Sequence, residues 1–294
     1  MVTQVIVHVM PNEIDWFEWQ AKQLKIGSDL LEVNDNVVID VTLNLNIIDW
    51  EKSLIPKQFF IDKFNNILTS CFDWCKVISD INEDMSCMGA LSKRRASIRA
   101  SNADNFICLD CDIIFKSETL KILINASEAV TNEYYIITPQ ISKLWDTTWD
   151  VLVNEYYSKD TWGNEVFIDP YSIVNKLYGP IALRKIQEYK LGMGWFNLIS
   201  ANLLKKIDLP ESLGSYGPDD TYIMFCSFFM KLANMDVQQL VLENIVVAEN
   251  YKYRVNIYEK YLTALNNKSD ERKQSELNFT KEVENFKQKL INNE

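Results

Sequence analysis

Apolar residues recur with two alternating periods along the first 115 residues. Runs rich in β-branched residues predict strands, and stretches with apolar residues three and four positions apart predict helices between them. The predicted strands span residues 4–10, 36–46, 75–82 and 105–115, and the predicted helices 13–25, 56–74 and 90–103. This alternation predicts an α/β fold with a mostly parallel, Rossmann-like central sheet flanked by helices.

The pattern loosens after residue 115, where aromatic residues become frequent. It predicts a helix over 117–130, a strand over 133–141, a strand, glycine turn and helix within 185–210, a helix after Pro218 and a strand over 237–250. The polar tail from residue 268 has helical spacing. Its apolar stripe is typical of a docking face, with a short coiled-coil contact as the alternative, and consists of Phe279, Val283, Phe286 and Leu290. The sequence leaves open whether this face docks on the protein body, on a second copy or on another protein.

Composition narrows the class of protein. The chain has 294 residues with 47% hydrophobic residues, enough for one large domain or two small ones. The formal net charge of −11 argues against a nucleic-acid binder, which usually presents a basic face. No apolar run reaches the roughly 18 residues of a membrane span, and the N-terminus resembles no secretion signal. We therefore expect a cytoplasmic protein without a transmembrane segment.

The six cysteines and the single histidine limit the possible chemistry. Cys108 and Cys111 form a CxxC, but a zinc site needs a second pair or nearby histidines. The one histidine, His8, lies in an apolar strand, where a core position is expected. We therefore expect buried free thiols and no histidine-based catalysis unless His8 provides it.

Two carboxylates interrupt the apolar run "NFICLDCDIIF" at Asp110 and Asp112. Burying them is costly unless something pairs with them. On the predicted strand they face the same way, with Cys111 opposite, and two such oxygens suit Mn²⁺ or Mg²⁺. A DxD occurs easily by chance, but this one follows a strand, at the end where open α/β sheets bind ligands. The position favours a functional site.

Cations precede this strand and acids follow it further along the chain. Arg95 and Arg99, in "SKRRASIR", share a predicted helix face and could neutralise a diphosphate, although a solvated face is an equal alternative. Asp219 and Asp220 begin a predicted helix after Gly217-Pro218. Acids are favoured there by capping alone, but capping does not require two adjacent ones.

Two segments resemble the signature regions of GT-A-fold glycosyltransferases, in particular family 2 and the chondroitin-polymerase and galactosyltransferase-like groups. They are "ASIRASNADNFICLDCDIIF" and "GMGWFNLISANLLKKIDLPESLGSYGPDDTYIMF", and "VHVMPNE" is similar to the family's first strand and nucleotide loop. The resemblance covers about residues 4–250. It implies a GT-A domain over 1–250, with a nucleotide-binding half at 1–115 and an acceptor half at 116–250. A C-terminal helical extension would occupy 251–294.

The resemblance also implies roles for individual residues. Asp112 would bind the metal that bridges the donor diphosphate, and Asp110 would contact the donor directly or through that metal. Asp220 matches the catalytic base and Asp219 the acid before it, although Asp-Asp in place of Glu-Asp leaves the base open. The remaining donor-site positions are Pro11, Asn12, Glu13, Arg95, Arg99, Gly194 and Trp195.

Two further features concern the metal and the acceptor. Many relatives supply a histidine after the last strand as a third metal ligand, but this chain has none there. Glu249, Asn250 or water would replace it. Aromatic faces stack on sugars, so the tryptophans of the second half are acceptor-site candidates, Trp195 foremost, although core packing is the alternative for each. The others are Trp145, Trp149 and Trp162.

The sequence thus predicts a metal-dependent, inverting glycosyltransferase that uses Mn²⁺ or Mg²⁺. It would move a sugar from a nucleotide sugar, most simply a UDP-sugar, to a hydroxyl of a glycan or other acceptor. One alternative is a nucleotidyltransferase, although "MPNEIDWF" lacks the glycine-rich phosphate loop expected after its first strand. Another is a non-catalytic protein of the same fold that binds a glycan or a partner. The net charge disfavours a metal-dependent nuclease.

Overall fold

The computed structural model describes residues 1–31, 36–84, 90–142, 170–177, 179–187, 194–214, 218–250, 258–265 and 268–292. Its strands are β1 (Val2–Val9), β2 (Asn36–Asn44), β3 (Lys76–Asn82), β4 (Asn105–Asp110), β5 (Ile113–Ile114), β6 (Tyr134–Ser142), β7 (Ala182–Ile186), β8 (Trp195–Ser200) and β9 (Val237–Glu249). Its helices are α1 (Ile14–Ser28), α2 (Lys57–Cys71), α3 (Ala90–Ala100), α4 (Thr119–Glu128), α5 (Pro170–Asn175), α6 (Ala201–Ile207), α7 (Asp219–Leu232) and α8 (Lys268–Ile291).

The strands form one sheet in the order β3-β2-β1-β4-β8-β6-β9-β5, and β7 also pairs with β9. The pairs among β3, β2, β1 and β4 are parallel. Beyond β4 the sheet is mixed, because β8 runs antiparallel to both β4 and β6, whereas β6 and β9 are parallel. The carboxyl ends of the first four strands therefore meet at one edge.

Helices cover both faces of the sheet, which confirms the predicted α/β class. Helices α1, α2 and α4 pack on one face, where Phe17, Phe64 and Leu123 join the first hydrophobic core. Helices α3, α6, α7 and α8 contribute to the second core, which includes Ile98 and Ile223. Strand β1 separates the two because its residues alternate between the faces.

The predicted strand over 105–115 is wrong in one respect that matters for the site. Strand β4 ends at Asp110, residues 111 and 112 form a turn, and the two-residue strand β5 pairs with β9 instead of β1. The sequence looks like one apolar run because β4 and β5 are both buried. Asp110 and Asp112 are therefore not two positions of one strand. The sequence analysis also missed β8, which lies between the glycine turn and α6.

The segment after residue 250 contacts both halves of the chain. Around residues 258–265 it runs along the loop after β2, where Ala264 pairs with Ile48 and the Tyr258 ring packs on Phe60. Helix α8 then packs on α7, with Val283 and Phe286 buried in the second core. This confirms the docking face predicted for the tail. None of the helices described here is both long and apolar enough to span a membrane.

Candidate active site

The turn between Asp110 and Asp112 is fixed by hydrogen bonds from two distant parts of the chain. Gln20, buried on α1, donates from its amide nitrogen to the carbonyls of Asp110 and Ile113, each at 2.8 Å. The Asn250 backbone N–H donates to the Asp112 carbonyl at 2.6 Å. These contacts satisfy carbonyls that the broken strand would otherwise leave unpaired. The conformation of the turn is thus held by tertiary hydrogen bonds.

Gly194 allows the Asp110 carboxylate to lie against the start of β8. Its φ of +91° belongs to the region that favours glycine, and its carbonyl accepts a hydrogen bond from the Asp110 N–H at 3.0 Å. A Cβ at this position would overlap the Asp110 carboxylate. The adjacent β8 residue Phe196 also has positive φ and lies at a register shift between β4 and β8. This bulge, which the sequence did not indicate, shapes the backbone beside the carboxylate.

The resemblance to GT-A glycosyltransferases implies nucleotide binding at this edge, and Gly194→Ala should weaken that binding by at least about tenfold, because the Asp110 carboxylate must move and the backbone is strained. Gly214→Ala is the matched control. Gly214 also has positive φ, but nothing lies within 4 Å of the position its Cβ would take. Both variants should lose stability, because both glycines have positive φ. Only Gly194→Ala should lose affinity for the nucleotide in a calorimetric titration. Equal affinities would show that Gly194 does not position the carboxylate.

Arg94 joins the DxD strand to the helix that carries the other two acids. Its guanidinium donates to Asp110 at 2.5 Å and to Asp219 at 3.0 Å, and its side chain is only 6% exposed. Burial alone would lower the pKa of Arg94, but Asp110 and Asp219 outweigh burial and raise it. Arg94 is therefore a permanent cation between two carboxylates that are 109 positions apart in sequence. The sequence analysis did not single it out.

Asp219 and Asp220 are adjacent in sequence but lie in different environments. Asp219 is buried and bound to Arg94. Asp220 is half-buried and accepts hydrogen bonds from the Thr221 N–H and hydroxyl at 2.6 and 3.1 Å. Burial, followed by the charge of Asp219, raises the pKa of Asp220 to about 6, although Thr221 and Arg94 oppose the shift. A carboxylate with such a pKa can accept a proton at neutral pH.

Arg95 and Arg99, predicted to bind phosphates, are directed elsewhere. Arg95 donates to the Pro210 and Gly214 carbonyls at 2.6 and 3.2 Å. Arg99 pairs with Asp208 and Glu211. Successive helix residues point about 100° apart, so Arg94 faces the strand ends while Arg95 and Arg99, which share a face, point away from them. The two arginines fasten the loop after α6 to α3, and Arg94 is the one that reaches the DxD.

The other predicted donor-site residues divide into two groups. Pro11, Asn12 and Glu13 form a 3-10 turn directly after β1, at the same sheet edge as Asp110, and Glu13 caps it by accepting from the Met10 N–H. Trp195 lies in the first core and is 6% exposed, which fits packing better than stacking on a sugar. The other candidate tryptophans and Gly217, predicted to precede the base motif, fall outside the described residues: Trp145, Trp149, Trp162 and Gly217.

The residues at the turn fit an oxygen-bound divalent cation only in part. Within the described ranges, no three His, Cys, Asp or Glu side chains come close enough together to hold a metal ion. The register of β5 and β9 places Glu249 opposite Ile113, next to Asp112. Asn250 is 4% exposed, and its side-chain oxygen lacks a hydrogen-bond partner among these residues. Mg²⁺ often takes only one or two carboxylates and completes its shell with substrate phosphates and water.

The cysteines are free thiols, as predicted, for the five that the structure describes: Cys71, Cys75, Cys108, Cys111 and Cys226. Burial raises the pKa of Cys108 to about 12 and that of Cys111 well above its ordinary value. Buried, protonated thiols are poor nucleophiles and poor metal ligands. The two cysteines of the CxxC are therefore core residues, Cys111 in the first core and Cys108 in the second.

The sequence matches no protein-family model and no curated protein. Solved structures share part of the chain path. One is S. aureus TarS 1–349 in complex with UDP-GlcNAc, with 14% identity over 84% of this chain and 58% of that chain, and a TM-score of 0.49. Another is GalNAc-T7 with UDP, GalNAc and Mn²⁺, with 11% identity over 85% and 44% of the two chains, and a TM-score of 0.47. This chain thus spans less than two thirds of either.

Proposed function

We propose that this chain is an inverting glycosyltransferase of GT-A type that moves a sugar from a nucleoside diphosphate to an acceptor hydroxyl. The observation that carries the proposal is the cluster at the sheet edge. There a buried Arg94 holds Asp110 and Asp219 together, beside an Asp220 whose pKa is raised to about 6. This is the pairing of a charge-stabilising group with a general base that glycosyl transfer requires.

Asp220 is the general base in this proposal. A sugar hydroxyl becomes a competent nucleophile as a carboxylate removes its proton in the transition state. Asp219 forms an ion pair with Arg94 at 3.0 Å, whereas Asp220 forms none with Arg94. The ion pair thereby assigns the two acids different tasks. Asp219 positions the start of α7, and Asp220 accepts the proton.

The departing nucleoside diphosphate carries negative charge that must be offset at the DxD turn. Asp112 and the orphaned Asn250 oxygen, with Asp110 and Glu249 beside them, would hold Mn²⁺ or Mg²⁺, which supplies that positive charge. With the base on one side of the sugar and the diphosphate on the other, a single displacement inverts the anomeric carbon. The Arg94 guanidinium contributes a fixed cation next to Asp110.

We expect Asp112→Asn to reduce divalent-dependent nucleotide binding by at least about tenfold, because one anionic ligand is lost. Asp104→Asn, at the opposite end of β4, is the control, since the Asp104 carboxylate lies away from the turn and accepts a hydrogen bond from the Val2 N–H at 2.7 Å. Titrations with Mn²⁺ and with EDTA measure the effect. Unchanged metal dependence in Asp112→Asn would remove Asp112 from the metal site.

The experiment that tests the proposed function is a thermal-shift screen of nucleoside diphosphates and nucleotide sugars with Mn²⁺, Mg²⁺ or EDTA. A ligand at 100 times its Kd adds about 2.7 kcal/mol to the free energy of unfolding, a readily measured shift. A shift selective for UDP or a UDP-sugar and removed by EDTA supports the proposal and narrows the donor. No shift with any nucleotide would contradict it and favour the non-catalytic binding protein.

A further inference from the structure

His8, the only histidine of the chain, is a buried polar side chain with no partner among the described residues. It is 7% exposed, and neither ring nitrogen has a hydrogen-bond partner within the described ranges. Among the described side chains with orphaned atoms, it is the one with two. Leaving such a group unsatisfied costs free energy, so an orphan in a folded protein requires an explanation.

The imidazole lies on the same sheet face as the candidate active site. In β1, Gln4 bonds to Asp40 and Ser101, and Ile6 packs in the core that α3 shares, so this face lies under α3. His8 is two residues further along and shares the face. The strand register places it directly beside Asp110 of β4.

Four side chains form a row across the carboxyl ends of the parallel strands: Asp80, Thr42, His8 and Asp110. Lys93 pairs with Asp80 at 2.7 Å and Arg94 with Asp110 at 2.5 Å, so the imidazole lies between two ion pairs. Thr42, Asp80 and Lys93 also line a cavity of about 530 Å³ beneath α3. Open space therefore adjoins the row on the side of Thr42.

We infer that His8 binds the nucleoside of the donor, with its two ring nitrogens as one hydrogen-bond donor and one acceptor. The inference rests on the proposed function and deepens it. Both ring nitrogens lack a hydrogen-bond partner among the described residues, and the register places the imidazole beside Thr42 and the cavity that Thr42 lines. A neutral imidazole offers one donor and one acceptor. Ribose hydroxyls and the amide edge of a base match both, whereas a diphosphate supplies acceptors only.

The test compares untagged wild-type protein with His8→Leu, which removes both nitrogens and keeps an apolar side chain in the strand. The control is Thr138→Val, because Thr138 is also buried on a strand with an orphaned hydroxyl. We expect neither variant to lose thermal stability without ligand. His8→Leu should raise the Kd for UDP at least tenfold, and Thr138→Val should leave it within twofold.

A spectroscopic measurement tests the contact between His8 and the nucleotide directly. Because the chain has one histidine, ¹⁵N-labelled histidine gives one pair of ring nitrogen signals. Saturating UDP should move both signals in the wild type and in Thr138→Val. Titrations with 2′-deoxy-UDP and CDP identify the partner. If ribose is bound, the deoxy compound loses affinity in the wild type but not in His8→Leu. If the base is bound, CDP binds the wild type more weakly than UDP does, but it binds His8→Leu as tightly as UDP does.

The outcomes separate the two proposals. If the wild type binds UDP but His8→Leu binds it equally and the ring signals do not move, the inference is wrong and the glycosyltransferase proposal stands. If the wild type binds no nucleoside diphosphate, the proposed function is contradicted, and the nucleoside contact with it.

Discussion

Replacing Arg94 by Met should lower the free energy of unfolding by about 3 kcal/mol and move the acidic limb of the kcat profile to higher pH. The stability loss arises because Asp219, 11% exposed, would be left as a buried charge without a counter-ion. Asp110 contributes less because its side chain is 45% exposed. The acidic limb moves because the positive charge of Arg94 opposes the rise in the pKa of Asp220 in the wild type. Removing that charge raises the pKa of Asp220 above about 6.

Arg99→Met is the matched control on the same helix. Arg99 also binds two carboxylates, but its side chain is 42% exposed, and exposed ion pairs contribute about 1 kcal/mol or less. Urea unfolding of both variants measures the difference, and kcat between pH 5 and 8 measures the limb. Equal stability losses would show that the buried ion pair of Arg94 with Asp219 stabilises the fold no more than the exposed ion pairs of Arg99. An unmoved limb would show that the limb does not report Asp220.

The sequence predicts the fold of this protein more fully than its site. Local periodicity identifies β1, β2, α1 and α2 because each element buries one face through regular spacing. The end of β4 could not be predicted, because Cys111 and residues 113–115 stay buried while the chain leaves β1 and joins β9. A change of strand partner depends on residues far away in sequence.

The sequence singles out the acids of the candidate site but not its buried cation, Arg94. Asp110, Asp112 and Asp220 stand out because carboxylates interrupt apolar runs or follow a glycine loop. Arg94 lies in a cluster of cations where composition cannot distinguish one from the next, and only the rotation of α3 directs it to the strand ends. His8 carried a signal, a polar residue in an apolar strand, but its register beside Asp110 required the sheet.

Asp220→Asn should reduce the rate of sugar transfer by at least about 100-fold while nucleotide affinity stays within twofold. The amide cannot accept the proton of the acceptor hydroxyl, and a positioned general base contributes about 10² to 10⁴ in rate. Its oxygen still accepts the hydrogen bonds from Thr221, so the start of α7 should keep its structure. Transfer assays and UDP titrations on the same preparation separate the two effects.

Stability gives this variant a second, independent signature. The folded protein keeps the proton of Asp220 up to a pH of about 6, whereas an unfolded chain releases it near the ordinary pKa of 3.8. Ionised Asp220 therefore lowers the free energy of unfolding, increasingly as pH rises from about 4 to 6, and the cost is fully present above that range. Asp220→Asn removes this cost, so it should be more stable than the wild type at pH 7.5 and equal to it near pH 4. Wild-type transfer by Asp220→Asn would reject Asp220 as the base, whereas lost transfer without the stability gain would deny that the pKa of Asp220 is raised.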